Sequence, residues 1–370
     1  MSSGGKLWGW GLDPWGTGNA APHQAAPFPG VADVESFYTN GYGTYFALKS
    51  DGTLWAWGRN DSGLLGNGTL SSSTVPTQVG IPGRIASVAV ESDTCYARGA
   101  DGTTWHWGSG VDDANSRFSD MTRPGRALGA LLSGSPLEEP EVEPVLRPTV
   151  VPGLPAVRSL EITMIDASDG PYSSGVRAVS VEGDLWEFGG LYRHKLKQVS
   201  GLRDVVATAA DKFVSYAVQS DGTLWGWGGG TDESLGDGTD EYREAPVRIP
   251  VPGRVTSAVV NWGRRFALCS DGSVWAWGQN FGKLGIGSNS SDELSPVQVP
   301  GIQDAVSITS IRGSTFVVRR NGSLLSWGSN EDGQLGDGTT TDRAQPTTVT
   351  GIQGSSDLSV GSWGEPASDE

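Results

Sequence analysis

Apolar and polar positions alternate in short runs along this chain, and glycine-containing turns separate the runs. The clearest example lies between Ile302 and Val349. Its runs predict three strands and a short fourth one, at AVSITSI (Ala305–Ile311), STFVVRR (Ser314–Arg320), SLLSWG (Ser323–Gly328) and PTTV (Pro346–Val349). Asn321-Gly322 predicts a two-residue hairpin turn with positive φ between the second and third strands. The pattern therefore predicts a four-stranded antiparallel sheet.

The third strand of this unit ends in a Trp-Gly or Phe-Gly tag that occurs seven times. The tags are LWGWG (Leu7–Gly11), DGTLWAWG (Asp51–Gly58), DGTTWHWG (Asp101–Gly108), EGDLWEFG (Glu182–Gly189), DGTLWGWG (Asp221–Gly228), DGSVWAWG (Asp271–Gly278) and NGSLLSWG (Asn321–Gly328). They recur at intervals of about 40–50 residues, with one longer interval of about 80 after the third tag. Four strands per repeat are typical of a propeller blade. The sequence predicts an all-β protein, a seven-bladed β-propeller that forms a single domain over residues 1–370.

The two ends of the chain complement each other in this scheme. The first tag, Leu7–Gly11, has the sequence of a third strand, and DLSVGSW (Asp357–Trp363) resembles the innermost first strand of a blade. One blade built from both ends would close the ring and remove exposed sheet edges. Because no clear second strand follows Trp363, the closing blade is predicted with three or four strands.

The tags also predict where the core lies. Two aromatic residues two positions apart on a strand point to the same face of a sheet. Each tryptophan can bury about 150–250 Å², and packing between adjacent blades is the natural place for that surface. We therefore predict a structural core at Trp55, Trp57, Trp105, Trp107, Trp225, Trp227, Trp275, Trp277 and Trp327. The alternative is that these rings form shelves for sugars or bases.

Charge and cysteine content narrow the classes of function. The 370 residues carry a formal net charge of −16, which repels phosphate backbones, so we expect no nucleic-acid partner. Such a surface favours solubility or a partner with a basic patch. Cys95 and Cys269 lie in different repeats and are expected to be free, buried thiols of a reducing compartment. We see neither a signal peptide nor a stretch of about 18 apolar residues, and we predict a cytoplasmic or virion location without membrane insertion.

The tags resemble the repeat family named for the regulator of chromosome condensation, and the likeness covers almost the whole chain. The loops that carry it beside the tags are NDSGLLGNGT (Asn60–Thr69), DESLGDGT (Asp232–Thr239) and NEDGQLGDGT (Asn330–Thr339). The resemblance implies a seven-bladed propeller, and its members include nucleotide exchange factors, ligase-linked modules and bacterial enzyme inhibitors. Thr44 and Arg264 stand where eukaryotic members often carry His, and no basic tail precedes the repeats. The likeness is therefore to the prokaryotic or viral type, which argues against exchange activity on a nuclear small GTPase.

The longest departure from the repeat is an inserted loop at residues 109–151, which begins basic and apolar and continues acidic and proline-rich. Long loops on a rigid scaffold are frequent binding sites. We therefore expect a protein partner to contact Arg117, Arg123, Arg126, Leu128, Leu131 and Leu132. The alternative is a tolerated surface insertion. A second enlargement lies at Ile165–Gly175.

No motif in the chain indicates catalysis or a cofactor. The loop Asn330–Gly333 is rich in oxygen ligands, but it lacks the ligand count and the final Glu of an EF-hand. His106 lies alone between two tryptophans, and we expect a structural or surface role for it. Because there is no phosphate loop, nucleophile elbow or zinc spacing, we expect no enzyme activity, no cofactor and no metal.

These features predict a non-enzymatic protein-binding β-propeller. Because the repeats use almost every residue, we expect a recognition or structural subunit of a multi-protein assembly, with a phage tail or another virion component as one candidate. The first alternative is a soluble regulator, such as a guanine-nucleotide exchange factor or an enzyme inhibitor. The second is a catalytic propeller with a site in its central channel.

Overall fold

The computed structural model describes residues 8–12, 22–27, 31–91, 93–108, 144–165, 173–189, 194–211, 213–229, 234–261, 263–290 and 292–350. All regular secondary structure in these residues is β-strand, which confirms the predicted all-β class. In the same residues, no helix has the length and apolar character needed to cross a membrane.

Most of the strands form six four-stranded antiparallel sheets, in which the strands pair in chain order. Sheets 1 to 3 contain β3 (Val34–Thr39), β4 (Thr44–Lys49), β5 (Leu54–Gly58) and β6 (Ser73–Gln78); β7 (Ile85–Glu91), β8 (Thr94–Gly99), β9 (Thr104–Gly108) and β10 (Val145–Val150); β11 (Val157–Ile165), β12 (Ser173–Ser180), β13 (Leu185–Gly189) and β14 (His194–Gln198). Sheets 4 to 6 contain β15 (Val205–Ala210), β16 (Val214–Gln219), β17 (Leu224–Gly228) and β18 (Arg243–Ile249); β19 (Val255–Asn261), β20 (Arg264–Cys269), β21 (Val274–Gln279) and β22 (Asp292–Gln298); β23 (Ala305–Ile311), β24 (Ser314–Arg319), β25 (Leu324–Gly328) and β26 (Arg343–Thr348).

The described chain divides into two compact units. The first contains sheets 1 and 2 and most of sheet 3, and the second contains sheets 4, 5 and 6. Within a unit, consecutive sheets pack on each other through apolar residues. Phe46, Leu64 and Trp107 join sheet 1 to sheet 2, and Phe266 and Trp327 belong to the cluster that joins sheet 5 to sheet 6. Four-stranded sheets that follow one another in this way are consistent with the blades of a β-propeller.

The hairpin turn between the second and third strands differs from the predicted two-residue turn. In sheet 6, Gly322 N donates to Arg319 O at 2.8 Å, and Arg319 N donates to Ser323 O at 2.9 Å. Gly322 has a φ of +78°, whereas Asn321 has no positive φ. Asn321 instead accepts hydrogen bonds through Oδ1 from the N and Oγ of Ser323. The turn is therefore a four-residue turn followed by a glycine bulge.

The tag tryptophans separate into two levels of burial. The second tryptophan of the tag is 0% exposed at Trp57, Trp107, Trp277 and Trp327, and 9% exposed at Trp227. The first is only partly buried at Trp55, Trp105, Trp225 and Trp275. It lies beside the hairpin turn, where Trp55 Nε1 donates to Thr53 Oγ1 at 3.1 Å and Trp275 Nε1 donates to Ser273 Oγ at 3.2 Å. The indole N–H thus keeps the first ring at the margin of the sheet.

A buried asparagine organises the loop between the third and fourth strands. The amide of Asn60 donates to the carbonyl oxygens of Thr69 at 2.8 Å and Ser71 at 3.1 Å. Its Oδ1 accepts from Leu65 N at 2.8 Å. Asn330 makes the corresponding bonds in sheet 6. Because one buried side chain pairs with three backbone groups that are spread over the loop, it fixes the shape of the whole loop.

The same loop also holds the buried tryptophan of the next sheet. Trp107 Nε1 donates to Leu64 O at 2.7 Å, and Trp277 Nε1 donates to Leu235 O at 3.0 Å. Gly236 follows with a φ of +90°, and a Cβ there would lie 2.5 Å from Trp277 Nε1. Only glycine fits this position. The loops of sheets 1 and 4 are therefore attached both to their own sheet and to the following one.

Several predicted features fall partly or wholly outside the described residues. β1 (Trp8–Leu12) pairs antiparallel with β2 (Pro22–Pro27), but the predicted closing strand Asp357–Trp363 lies outside. Residues 109–143 of the predicted insertion lie outside as well, whereas its end, Val145–Val150, forms β10. Of the enlargement predicted at Ile165–Gly175, Ile165 ends β11 and residues 173–175 begin β12, while residues 166–172 lie outside the described residues.

Candidate functional site

A cleft of about 360 Å³ opens between sheets 1 and 2. The turn between β3 and β4, the loop between β5 and β6, and the turn between β7 and β8 form its walls. The lining residues are Asn40, Tyr42, Thr44, Arg59, Asp61, Ser62, Leu64 and Asp93. Loop residues held on a rigid sheet edge are a common arrangement for binding.

A network of hydrogen bonds holds the β3–β4 turn in place and leaves the ring of Tyr42 exposed to solvent. Asn40 Oδ1 accepts from Tyr42 N at 2.9 Å and from Thr44 N at 3.1 Å. Thr44 Oγ1 donates to Arg59 O at 2.8 Å, which ties the turn to the neighbouring loop. Tyr42 stands between two glycines with positive φ and is 68% exposed. The turn therefore presents the ring of Tyr42 to solvent from a fixed backbone.

Two carboxylates and one guanidinium give the cleft its charge. Arg59 Nε lies 2.5 Å from Asp61 Oδ2, and this hydrogen bond raises the pKa of the Arg59 guanidinium. Both side chains are more than half exposed, so the pair contributes little to stability. Ser62 Oγ donates to Asp93 Oδ1 at 2.7 Å and joins the loop of sheet 1 to the turn of sheet 2. Because the lining contains two carboxylates and one guanidinium, its net negative charge favours a basic or hydrogen-bond-donating group.

The predicted insertion leaves and re-enters the described structure beside this cleft. A Cβ on Gly108, the last residue of β9, would collide with Asp93 O and would lie 3.1 Å from Leu64 Cδ2. On the returning side, a Cβ on Gly63 would lie 3.8 Å from Pro144 Cβ. Gly108 and Pro144, the described residues that flank the segment 109–143, therefore lie close to residues that line the cleft or adjoin them.

The predicted partner-binding residues of the insertion cannot be placed in this site. All six lie outside the described residues, namely Arg117, Arg123, Arg126, Leu128, Leu131 and Leu132. The sequence analysis in turn missed Tyr42, Arg59, Asp61 and Asp93. One signal could have drawn attention to Tyr42, because a large aromatic residue between two glycines in a turn has no core to enter.

Metal-ligating side chains in the described residues do not cluster. No group of three or more His, Cys, Asp and Glu side chains in the described ranges could hold a metal ion. His106 is buried and stacks on Tyr96 with ring centroids 6.2 Å apart. Cys95 and Cys269 are free and buried, as predicted, and burial raises the pKa of both thiols.

Comparison with known sequences places the repeats in a family. The model of the "Regulator of chromosome condensation (RCC1) repeat" matches residues 51–97, 221–269, 271–318 and 321–363, about half of the chain. The human E3 ubiquitin-protein ligase HERC2 is 29% identical over 225 residues, which are 56% of this chain and 4% of HERC2. The ultraviolet-B receptor UVR8 of Arabidopsis thaliana is 26% identical over 237 residues, 60% of this chain and 48% of UVR8. The match thus spans less than half the length of either relative.

Solved structures agree with this assignment at the level of the fold. Prp20p from Saccharomyces cerevisiae aligns with a TM-score of 0.61 and 18% identity over 94% of this chain and 87% of its own. Human WBSCR16 aligns with a TM-score of 0.60 and 18% identity over 93% of each chain. Together with the repeat matches, the tags and the sheet order, these findings show that the chain belongs to the RCC1 repeat family.

Proposed function

We propose that this chain is a non-enzymatic protein-binding β-propeller, and that a protein partner docks at the cleft between sheets 1 and 2. One observation carries the proposal. Tyr42 is 68% exposed at a cleft whose wall is fixed by the fully buried Trp107 and by Asn60. A tyrosine on a rigid turn buries a large area on binding and loses little conformational entropy, because it has few rotatable bonds.

The charge of the cleft points to a basic segment of the partner. Asp61 and Asp93 outnumber Arg59 in the lining, and the whole chain carries a net charge of −16. A negative surface attracts a basic partner over several ångströms and accelerates the encounter. A lysine or arginine that enters the cleft would meet Asp93 at its wall.

The insertion supplies a second part of the proposed contact. Gly108 and Pro144, which flank residues 109–143 of the insertion, lie beside the cleft, and we propose that a partner bound to Tyr42 also contacts the chain between them. The basic and apolar residues predicted for contact, Arg117 to Leu132, belong to that segment. We propose that they widen the contact area around the cleft.

We also propose the seven-bladed, closed architecture as the scaffold of this function. The antiparallel pair β1–β2 has the strand types expected of an incomplete blade, and the RCC1 match extends over residues 321–363, which include the predicted strand Asp357–Trp363. In this proposal the first strand of that blade comes from the C-terminal end, and residues 1–370 form one domain. Closure would leave no sheet edge open for pairing.

The relatives support protein binding without naming the partner. Prp20p binds Gsp1p and histones, UVR8 is a receptor, and HERC2 is a ubiquitin ligase of which only 4% is matched. We propose for this chain a recognition role within a multi-protein assembly, in the cytoplasm or in a virion. A soluble regulator, such as a guanine-nucleotide exchange factor, is the alternative.

Site-specific photo-crosslinking tests the docking proposal. A photoreactive amino acid replaces Tyr42 in one protein and Val75 in a matched control, because Val75 is 66% exposed on the outer strand β6. In extracts of the native source, we expect one partner to crosslink at position 42 and not at position 75. Equal adducts at both positions, or none at position 42, would contradict the proposal.

A linker replacement tests the role of the insertion independently of the cleft. Replacing residues 117–132 with a Gly-Ser linker of equal length should weaken the crosslink at position 42 while the fold persists, as judged by thermal unfolding. An unchanged crosslink would reject the role of the insertion. A pure monomer that accelerates nucleotide release from a small GTPase would favour the regulator instead.

A further inference from the structure

The outer strand of sheet 3 lacks a proline that the outer strands of the other five four-stranded sheets have at one fixed position. In sheet 1, Val79 N donates to Leu54 O at 2.8 Å, three residues after Pro76. In sheet 3, Val199 N donates to Leu185 O at the same distance, three residues after Leu196. Leu196 therefore replaces the proline in β14. The prolines of the other strands are Pro76 in β6, Pro148 in β10, Pro246 in β18, Pro296 in β22 and Pro346 in β26.

Without the proline, β14 keeps the amide groups that face away from its own sheet. Val199 N points to the third strand of sheet 3. Because hydrogen-bonding groups alternate along a strand, the N–H groups of Leu196 and Gln198 point the other way. A proline at such a position removes a donor and protects the edge of a sheet from pairing with another strand. The edge of β14 can therefore accept one further strand.

The insertion belongs to a set of loops that cover the outer strand of the next sheet. In sheets 1, 4 and 5, a glycine of the loop after the third strand donates to this neighbouring strand. The pairs are Gly68 N with Leu146 O of β10, Gly238 N with Leu294 O of β22, and Gly287 N with Ala344 O of β26, each at 2.9 Å. The corresponding loop of sheet 2 is the insertion, and the next outer strand is β14. The repeat thus predicts that the insertion passes the edge of β14.

Sheets 2 and 3 lie against each other at this place. The rings of Tyr96 in β8 and Phe188 in β13 pack edge to face, with centroids 5.8 Å apart. Leu196 packs on the apolar cluster that contains both rings. A Cβ on Gly153, which follows β10, would lie 3.5 Å from Leu196 Cδ2. β14 is therefore held beside sheet 2, from which the insertion leaves.

β14 and the second half of the insertion have opposite charges. β14 has the sequence HKLKQ, and its Lys197 is exposed. The insertion contains LEEPEVEP (Leu137–Pro144), which has four glutamates and no basic residue. Glu182 and Asp184 line a cleft with Gln198, the last residue of β14. Opposite charges therefore favour the lysine-bearing part of β14 as the place where the glutamates bind.

The prolines of this acidic segment have the spacing of an edge strand. Pro136, Pro140 and Pro144 are four residues apart, so an extended chain places their ring nitrogens on one edge. The N–H groups of Leu137 and Glu139 then lie on the opposite edge and remain available for pairing. Proline also restricts the residue before it to extended conformations. Such a strand pairs on one side and presents its proline side to solvent.

We propose that residues 136–141 of the insertion form a fifth strand of sheet 3 along β14. The main-chain groups on the proline-free edge of this segment bind those of β14, and its glutamates lie near Lys195 and Lys197. The proline edge of the segment then protects sheet 3 as Pro76 protects sheet 1. The basic and apolar residues 117–132 are thereby confined between β9 and the added strand. The inference concerns a different surface from the cleft and does not depend on the cleft proposal.

Hydrogen exchange resolved to single amides of the purified full chain tests the added strand. We expect the amides of Leu196 and Gln198 to be protected. Replacing residues 136–141 with a Gly-Ser linker of equal length should accelerate their exchange about tenfold or more. The amide of Gln298 is the matched control, because Gln298 has the place of Gln198 in the outer strand of sheet 5, and its exchange should not change.

Three outcomes of this experiment would overturn the proposal. The first is fast exchange of both β14 amides in the unmodified chain, and the second is exchange that the linker does not change. The third is protection that appears only as the protein concentration rises, because this would indicate pairing between two copies of the chain. Replacing residues 117–132 instead should leave both amides protected, since the acidic segment is then intact.

Charge exchange tests the role of the lysines. Lys195→Glu combined with Lys197→Glu should accelerate exchange of both β14 amides severalfold, and adding Glu138→Lys and Glu139→Lys should restore protection. Arg248→Glu is the control, because Arg248 is exposed on the outer strand of sheet 4. Equal exchange before and after the glutamates are changed would reject the acidic segment as the added strand. These measurements need no partner, so their failure leaves the cleft proposal standing.

Discussion

Two regions of the molecule have the same backbone arrangement. They are the loop-bearing ends of sheets 1 and 2 and of sheets 5 and 6, called here the edge between sheets 1 and 2 and the edge between sheets 5 and 6. In both, a Cβ on the glycine that ends the third strand, Gly58 or Gly278, would collide with the carbonyl oxygen of a glycine in the first turn. In both, a buried asparagine, Asn60 or Asn280, holds the loop that follows. The frame therefore depends on residues that point inward or that have no side chain.

The two edges differ in the residues that point outward. Asp61 and Asp93 line the first edge, whereas Phe281 and Arg312 are exposed at the second, where Arg264 is only 9% exposed. This difference indicates that the repeat specifies the scaffold and that the residues at these edges vary from one repeat to another. The proposed docking surface therefore consists of positions that do not follow the repeat.

The largest expected effect comes from breaking the shared frame. Trp277→Ala should lower the free energy of unfolding by about 3–5 kcal/mol, because it removes a fully buried indole and its bond to Leu235 O. Trp275→Ala is the control, and its loss should be about half as large, since that ring is partly exposed. Urea unfolding measures both. Equal losses would show that the two tag tryptophans contribute alike and would contradict the two levels of burial.

The second effect acts on the loop of one edge. Asn60→Ala should cost about 2–3 kcal/mol, because it leaves the carbonyl groups of Thr69 and Ser71 and the amide of Leu65 without their partner. Asn67→Ala removes only bonds to the exposed Thr69 and should cost about 0.5–1 kcal/mol. Thermal unfolding compares the pair. If Asn67→Ala costs as much, the buried asparagine is not what fixes the loop.

The third effect concerns charge and sharpens the contrast between the edges. The double variant Asp61→Asn and Asp93→Asn should change stability by less than about 0.5 kcal/mol, as exposed substitutions usually do. It should weaken the partner crosslink at position 42 about tenfold, because it removes both carboxylates of the cleft. A crosslink that persists would show that charge does not guide the partner to the cleft.

The strands could be predicted from the sequence more closely than the exposed residues at their ends, for a physical reason. The run Ala305–Ile311 is β23 as predicted, and the third strand predicted from Ser323 begins one residue later, at Leu324. Burial of alternate residues leaves a periodic trace in the sequence, so strands and the RCC1 membership could be predicted. The exposed residues Tyr42 and Phe281 leave no such trace. They gain meaning only once neighbouring turns are brought together across two sheets.

Other parts of the prediction depend on residues that the structure does not describe. The seven-blade count, closure through Asp357–Trp363 and the contact residues of the insertion stay predictions. The turn at Asn321-Gly322 was predicted with the wrong geometry, because the dipeptide alone does not distinguish a two-residue turn from a turn followed by a glycine bulge.

The smallest effect contrasts the loops of sheets 1 and 6 at low pH. Asp337 Oδ1 accepts from Thr339 N and Oγ1, and its Oδ2 lies 2.6 Å from Arg343 Nε. The hydrogen bond from the Thr339 hydroxyl, aided by Arg343, lowers the pKa of Asp337 to about 2. Sheet 1 has Asn67 in the same place, bonded to Thr69, and this amide does not titrate. Of these two loops, acid should therefore loosen that of sheet 6 at this position.

The direction of the pH effect on the stability of the loop follows from the lowered pKa of Asp337. An unfolded aspartate has a pKa of about 3.9, so the Asp337 carboxylate stabilises the loop fully above about pH 4 and loses this effect as the pH falls through about 2. Hydrogen-exchange protection of the Thr339 amide should decrease in this window relative to that of Thr69. Asp337→Asn should remove the difference, because it gives sheet 6 the residue type of sheet 1. A parallel decrease at both amides would mean that acid acts on the sheets as a whole and not on this carboxylate.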